Sequence, residues 1–147
     1  MTIQLRELRA TYHPIPGTEQ TPRDRLTTPR DVAALLLPRL QLEPNEVFVI
    51  VLLDTKHRLI AISEISRGGL DATLANPRDV FKIALLGNAA AVITCHNHPS
   101  GDPTPSPDDR ALWGRLTAAG EVIGVSVLDH MVLGEGRYWS LREAGGC

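Results

Sequence analysis

Cysteine is scarce in this chain, with two residues, Cys95 and Cys147, among 147. Two thiols cannot build a disulfide scaffold or a four-thiolate zinc site. Their scarcity fits a reducing compartment. Lysine is as rare, Lys56 and Lys82 against 13 arginines. Genomic base composition can produce that bias, so it carries no functional meaning. An excess of charge of either sign is also missing. Fifteen basic residues face 17 acidic ones, giving a net charge of −2 and a pI of about 6.2. This excludes a whole-surface nucleic-acid binder but not a local basic patch. The first 42 residues hold six basic and four acidic residues and the remainder nine and 13. That asymmetry is too weak for a nucleic-acid arm. No apolar stretch approaches the roughly 20 residues of a membrane span. The opening MTIQLRELRATYHPIP meets charge before any apolar run develops, so no signal peptide is expected. Internal repeats and low-complexity tracts are absent. At 43% hydrophobic and 22% charged residues, the chain reads as one soluble, cytoplasmic globular domain.

Residues 11–30 are rich in Pro, Thr and Arg, and residues 1–28 read as an irregular lead-in to a domain spanning 29–147. Thr28-Pro29 opens a helix with an apolar face of Val32, Leu35, Leu36 and Leu40, which Pro38 is expected to kink or end early. The near-continuous apolar run from Glu46 to Asp54 predicts a strand buried on both faces. A polar turn at Thr55-Lys56-His57 and a second strand from Leu59 to Ser63 make a hairpin, broken at Gly68-Gly69. Asn76-Pro77 starts a second helix that Gly87-Asn88 ends, and Ala89–Cys95 is a short strand. Ser106-Pro107 opens a third helix, expected to stop at Gly120. Val122–Leu133 reads as a strand interrupted at Asp129-His130, and Tyr138-Trp139 as a last short one. The order predicts an α/β fold, a mixed sheet sandwiched by helices.

The chemistry concentrates between these elements, in His96-Asn97-His98, Ser106 and Asp109. Histidines at i and i+2 on a continuing strand point to one side, so both imidazoles can converge on one metal. Asp109, third in the following helix, leans back toward the helix N-terminus and so toward the strand end. Four prolines, Pro99, Pro103, Pro105 and Pro107, stiffen the loop between, and Gly101 permits a backbone conformation closed to other residues. Two histidines and one carboxylate leave a fourth position open, as in catalytic zinc sites. Each piece also has a plainer role: Asp109 as the capping-box partner of Ser106, Asp108 as the carboxylate instead, the histidines as hydrogen-bonded loop residues. A hydrolase further needs a proton carrier, and Glu43, Glu46 and Glu64 are the upstream candidates. Glu64 lies at the end of the second hairpin strand, where sites collect in α/β sheets. Glu46 starts a strand and is expected at the other edge. The plainer role of Glu64 is a solvated strand-end charge.

His96-x-His98, seven residues, Ser106, two residues and Asp109 resemble the JAMM signature of the MPN/JAB metalloprotease-like superfamily. The fuller string HNHPSGDPTPS resembles the RadC family more closely still. So do Asn76-Pro-Arg-Asp, Asn88-Ala-Ala-Ala-Val-Ile, Leu128-Asp-His and Gly136-Arg-Tyr, and the resemblance covers about residues 30–143. It implies a cytidine-deaminase-like JAB/MPN fold and one Zn²⁺ held by His96, His98 and Asp109. It also implies Ser106 assisting the oxyanion or the bound water, and Glu64 as general acid/base. The implied activity is that of a peptidase or isopeptidase acting on a peptide or protein. The alternatives are a DNA-repair or DNA-associated protein, from the family name, and a non-catalytic scaffold stabilised by zinc. RadC proteins carry an N-terminal module resembling helix-hairpin-helix, for which about 28 residues before the first helix are too few. The family's usual Gly-Thr is Gly68-Gly69 here. A deaminase is disfavoured, because the H-x-E and P-C-x-x-C elements are missing. Asp129-His130 reads as a satisfied structural pair or outer support for the metal site, Cys95 as a buried small residue, and Trp113 with Leu116 as core.

Overall fold

The computed structural model describes residues 1–21, 26, 28–68 and 75–145. Gly69 and Cys147 lie outside the described residues. Helix α1 spans Pro29–Leu40, β1 Val47–Leu53, β2 Leu59–Arg67, α2 Pro77–Leu86, β3 Ala91–Asn97, α3 Pro107–Ile123, β4 Ser126–Leu133 and β5 Tyr138–Ser140. The five strands form one sheet in the order β2-β1-β3-β4-β5. β3 and β4 are parallel and the other neighbouring pairs antiparallel.

Every residue of β1 is buried, as its unbroken apolar run requires of a strand covered on both faces. One face packs Val49, Val51, Leu53, Ile93, Cys95 and Met131 against Val32, Leu36 and Leu40 of α1. The other packs Phe48, Ile50, Leu52 and Val92 against Val80, Phe81 and Ala84 of α2 and Leu116 of α3. Mixed sheet and helical layers follow from this division, with α1 on one side and α2 and α3 on the other. All three helices begin alike. Thr28, Asn76 and Ser106 accept hydrogen bonds from the backbone N–H three residues on, and a proline follows each cap. Each such cap contributes about 1 kcal/mol.

Two helix boundaries differ from the sequence expectation. Pro38 sits inside α1, which continues to Leu40. Only two residues of the helix remain beyond it, so the break in the ladder costs little. Gly120 does not end α3, which runs to Ile123 and closes on the left-handed Gly124. Gly120 is small for a packing reason: a Cβ there would lie 2.5 Å from Val125 O and press on Val127 and Phe81. Accordingly β4 starts at Ser126, not Val122. Among the described residues, no helix is long and apolar enough to cross a membrane.

Candidate metal centre

β3 ends with His96 and Asn97 at the same end of the sheet where α3 begins. His96 lies on the α2/α3 face and is 1% exposed. Its ring stacks on Phe48 (6.0 Å between centroids, 9° between planes) and is flanked by Trp113 at 6.4 Å. His96 Nδ1 has no hydrogen-bond partner among the described residues, so packing orients this ring. Cys95 points to the opposite face, inside the α1 core, as alternation requires. Burial raises its thiol pKa, so it is not a ready thiolate.

His98 follows the strand, tied by its backbone N–H to Leu133 O. Its Nδ1 lies 2.9 Å from Asp102 O, and this bond fixes Nδ1 as the protonated nitrogen of the neutral ring. In the neutral ring Nε2 then carries the lone pair a metal would need, and in the protonated ring Nε2 donates to Asp109. His96 Nε2 is 3.2 Å from His98 Nε2 and 3.1 Å from Asp109 Oδ1, and His98 Nε2 is 3.1 Å from Asp109 Oδ2. One possible donor atom from each of the three side chains lies within 4.8 Å of the other two, a grouping that could hold a metal ion. A tetrahedral ion with bonds of about 2.0–2.1 Å separates its donors by roughly 3.3 Å, close to the 3.2 Å between the two histidine Nε2 atoms and to the 3.1 Å from each of them to one oxygen of the Asp109 carboxylate.

Asp109 caps its helix and faces the two histidines at once. Ser106 N donates to Asp109 Oδ2 at 2.8 Å and Asp109 N donates to Ser106 Oγ at 3.1 Å, which turns the carboxylate back over the helix end. Burial pushes the Asp109 pKa up, but hydrogen bonds to His96 and His98 outweigh it and hold the carboxyl well below the usual range. Asp109 is therefore an anion at neutral pH. Its hydrogen bond raises the pKa of His98, against the opposing effect of burial. Asp108 is exposed and takes no part in the triangle.

The loop from His98 to Ser106 is pinned at both ends and in the middle. Asp102 accepts from the N–H and hydroxyl of Thr104. Gly101 O accepts from Glu135 N at 3.0 Å and from Arg137 Nη2 at 3.2 Å. Gly134 makes this approach possible, because a Cβ there would run into Gly101 O.

The structure does not bring Glu64 to this triangle. Glu64 lies level with Val49, which lies level with Cys95, so its side chain belongs to the face away from His96. It is paired with Arg67 at 2.7 Å, and Arg67 also binds Glu43. Glu46 is the glutamate beside the histidines, with Oε1 3.9 Å from His98 Nε2 and a side chain 42% exposed. β1 runs antiparallel to β3, so the start of β1 lies beside the end of β3. Ser106 is at the rim, half-buried, and its hydroxyl proton is uncommitted among the described contacts.

Asp129 and His130 point to opposite faces of β4. Asp129 accepts from Ser140 Oγ, His130 N and Arg142 N. His130 contacts Thr94 Oγ1 at 2.6 Å and Thr117 Oγ1 at 3.2 Å. Trp113 stacks between His130 and Trp139, with Arg110 over the outer face of Trp139.

The RadC-like JAB domain model matches residues 26–146. This chain belongs to the RadC-like JAB domain family. The mixed five-strand sheet with three helices agrees with that assignment. Among relatives, the UPF0758 protein of Methanosarcina acetivorans is 42% identical over 126 residues, 86% of this chain and 55% of the relative. The UPF0758 protein of Clostridium perfringens is 44% identical over 119 residues, 81% of this chain and 52% of the relative. UPF0758 protein STH371 of Symbiobacterium thermophilum is 50% identical over 120 residues, 82% of this chain and 51% of the relative. The chain spans about half the length of the curated relatives it matches.

Proposed function

We propose that this RadC-like JAB domain is a zinc-dependent hydrolase that cleaves an amide bond in a peptide or isopeptide. The observation that supports this most is the cluster of His96, His98 and Asp109, whose imidazole Nε2 atoms lie 3.2 Å apart and each 3.1 Å from one oxygen of the Asp109 carboxylate, with the Glu46 carboxylate beside them. A zinc ion bound there would supply Lewis acidity and the capacity to ionise water near neutral pH.

The remaining steps belong to the chain's own side chains. Glu46, in place of Glu64, accepts the proton of the attacking water as the oxygen–carbon bond forms. It returns that proton to the leaving amine as the carbon–nitrogen bond breaks. The Ser106 hydroxyl donates to the oxygen on which negative charge develops. The Asp102 carbonyl keeps His98 in one tautomer. Phe48 and Trp113 keep water from the inner side of His96.

The test is metal analysis followed by an unbiased cleavage screen over peptides and isopeptides. Wild type should hold one zinc per chain, and His96→Ala and Asp109→Ala should hold none. Cleavage should be lost in Glu46→Gln and kept in Glu64→Gln. Zinc-loaded protein that cleaves nothing across the panel, or Glu46→Gln that cleaves normally, refutes the proposal.

A further inference from the structure

The residue between the two histidines is buried and polar. Asn97 is 1% exposed, and a buried amide needs partners for its oxygen and its two N–H groups. It finds them on the segment that leads into β1. Asn97 Oδ1 accepts from Val47 N at 2.7 Å. Asn97 Nδ2 donates to Asn45 O at 3.0 Å and to Glu43 O at 3.4 Å. The residues gripped at 45 and 47 are the two neighbours of Glu46. From the other strand, Gly68 N donates to Glu46 O at 2.8 Å. The backbone of Glu46 is thus held from both sides while its side chain reaches to 3.9 Å from His98 Nε2.

This grip takes over where the regular ladder ends. β1 and β3 are paired from Phe48–His96 to Leu53–Ala91. Beyond Phe48 the pairing with β3 stops while Val47 still pairs with Arg67 of β2, and the Val47 N–H meets the Asn97 side chain instead of a β3 carbonyl. Asn97 alternates with His96 and His98, so the two histidines face the metal position while the amide turns to the opposite side and holds the incoming chain.

We propose that Asn97 is a positioning residue that sets the Glu46 carboxylate against the metal site. The proposal rests on the assignment of Glu46 as proton carrier. It explains why one tripeptide carries two ligands and an amide: the strand that delivers the histidines also sets their distance from the glutamate. An alanine at 97 would leave Val47 N–H and Asn45 O without these buried bonds and loosen the segment without removing a ligand atom.

The test uses Co²⁺-loaded full chain with ¹³C-labelled glutamate carboxyls. In wild type, one glutamate signal should be strongly shifted and broadened by Co²⁺, and Glu46→Gln should delete it. Asn97→Ala and Asn97→Thr should bind one Co²⁺ per chain with the wild-type visible spectrum. In both, that shift should collapse toward the values of remote glutamates such as Glu121. The Val47 amide should exchange with solvent about tenfold faster or more. An unchanged shift in both Asn97 variants overturns the proposal. So does loss of Co²⁺ binding in both, because Asn97 would then serve the ligands themselves. A wild-type Glu46 signal untouched by Co²⁺ is a separate result, which removes the Glu46 assignment and this proposal with it.

Discussion

His130 offers a quantitative check on the packing behind the candidate metal centre. It is fully buried, bounded by Trp113 on one side and by the hydroxyls of Thr94 and Thr117. Burial, with a smaller contribution from His96, pushes its pKa down to about 3. In the unfolded chain it titrates near the ordinary histidine value of about 6.5. Between these values the unfolded state binds a proton that the native state does not, so stability falls as pH falls. The loss begins near pH 6.5 and is complete near the native value. From pH 7.5 to 5.0 it amounts to about 2 kcal/mol. That is a large share of the roughly 5–15 kcal/mol of a typical domain. The assay is urea denaturation of metal-free wild type and His130→Gln at both pH values. Every other ionisable group is common to both proteins, so its contribution cancels in the difference. The stability advantage of wild type over the variant should shrink by about 2 kcal/mol at pH 5.0. A difference that does not change with pH would refute a buried, neutral His130.

Zinc affinity should weaken as pH falls, because a proton on His98 competes with the metal and Asp109 raises the pKa of that site; titration calorimetry across pH 5–8 would follow it. Glu46→Gln should retain zinc and lower the rate of amide cleavage about 10²–10⁴-fold, measured on whichever peptide the screen returns. Asp109→Ala should lose zinc and, even without metal, lower stability by about 1 kcal/mol through the broken capping box, read from denaturant midpoints. Gly134→Ala should displace Gly101, destabilise the fold by about 1–3 kcal/mol and weaken zinc binding while leaving all three ligand residues in place.

Local features were legible because neighbours in sequence decide them. The caps at Thr28, Asn76 and Ser106 formed as their residue types demand. The burial of β1 on both faces followed from its composition. The triangle of His96, His98 and Asp109 was visible because strand alternation and the first turn of a helix act over a few residues. Helix ends were less legible where a residue serves two purposes. Gly120 is small to admit Val125 O, and a packing glycine looks like a stop signal in one dimension.

The choice of glutamate was different in kind. Glu64 does stand at the histidine end of the sheet, since β2 runs the same way as β3, but its register turns the side chain to the α1 face. Glu46 looked remote because it starts a strand, yet an antiparallel strand starts where its neighbour finishes. Strand direction and register are set by pairing between segments some 50 residues apart, and the bond from Val47 N to Asn97 Oδ1 spans that distance. The sequence by itself determined the cluster of His96, His98 and Asp109, the caps and the buried strands, because short-range geometry and side-chain chemistry suffice for them. Only the tertiary structure decided which carboxylate stands beside the histidines and what holds it there, because long-range strand pairing alone carries that information.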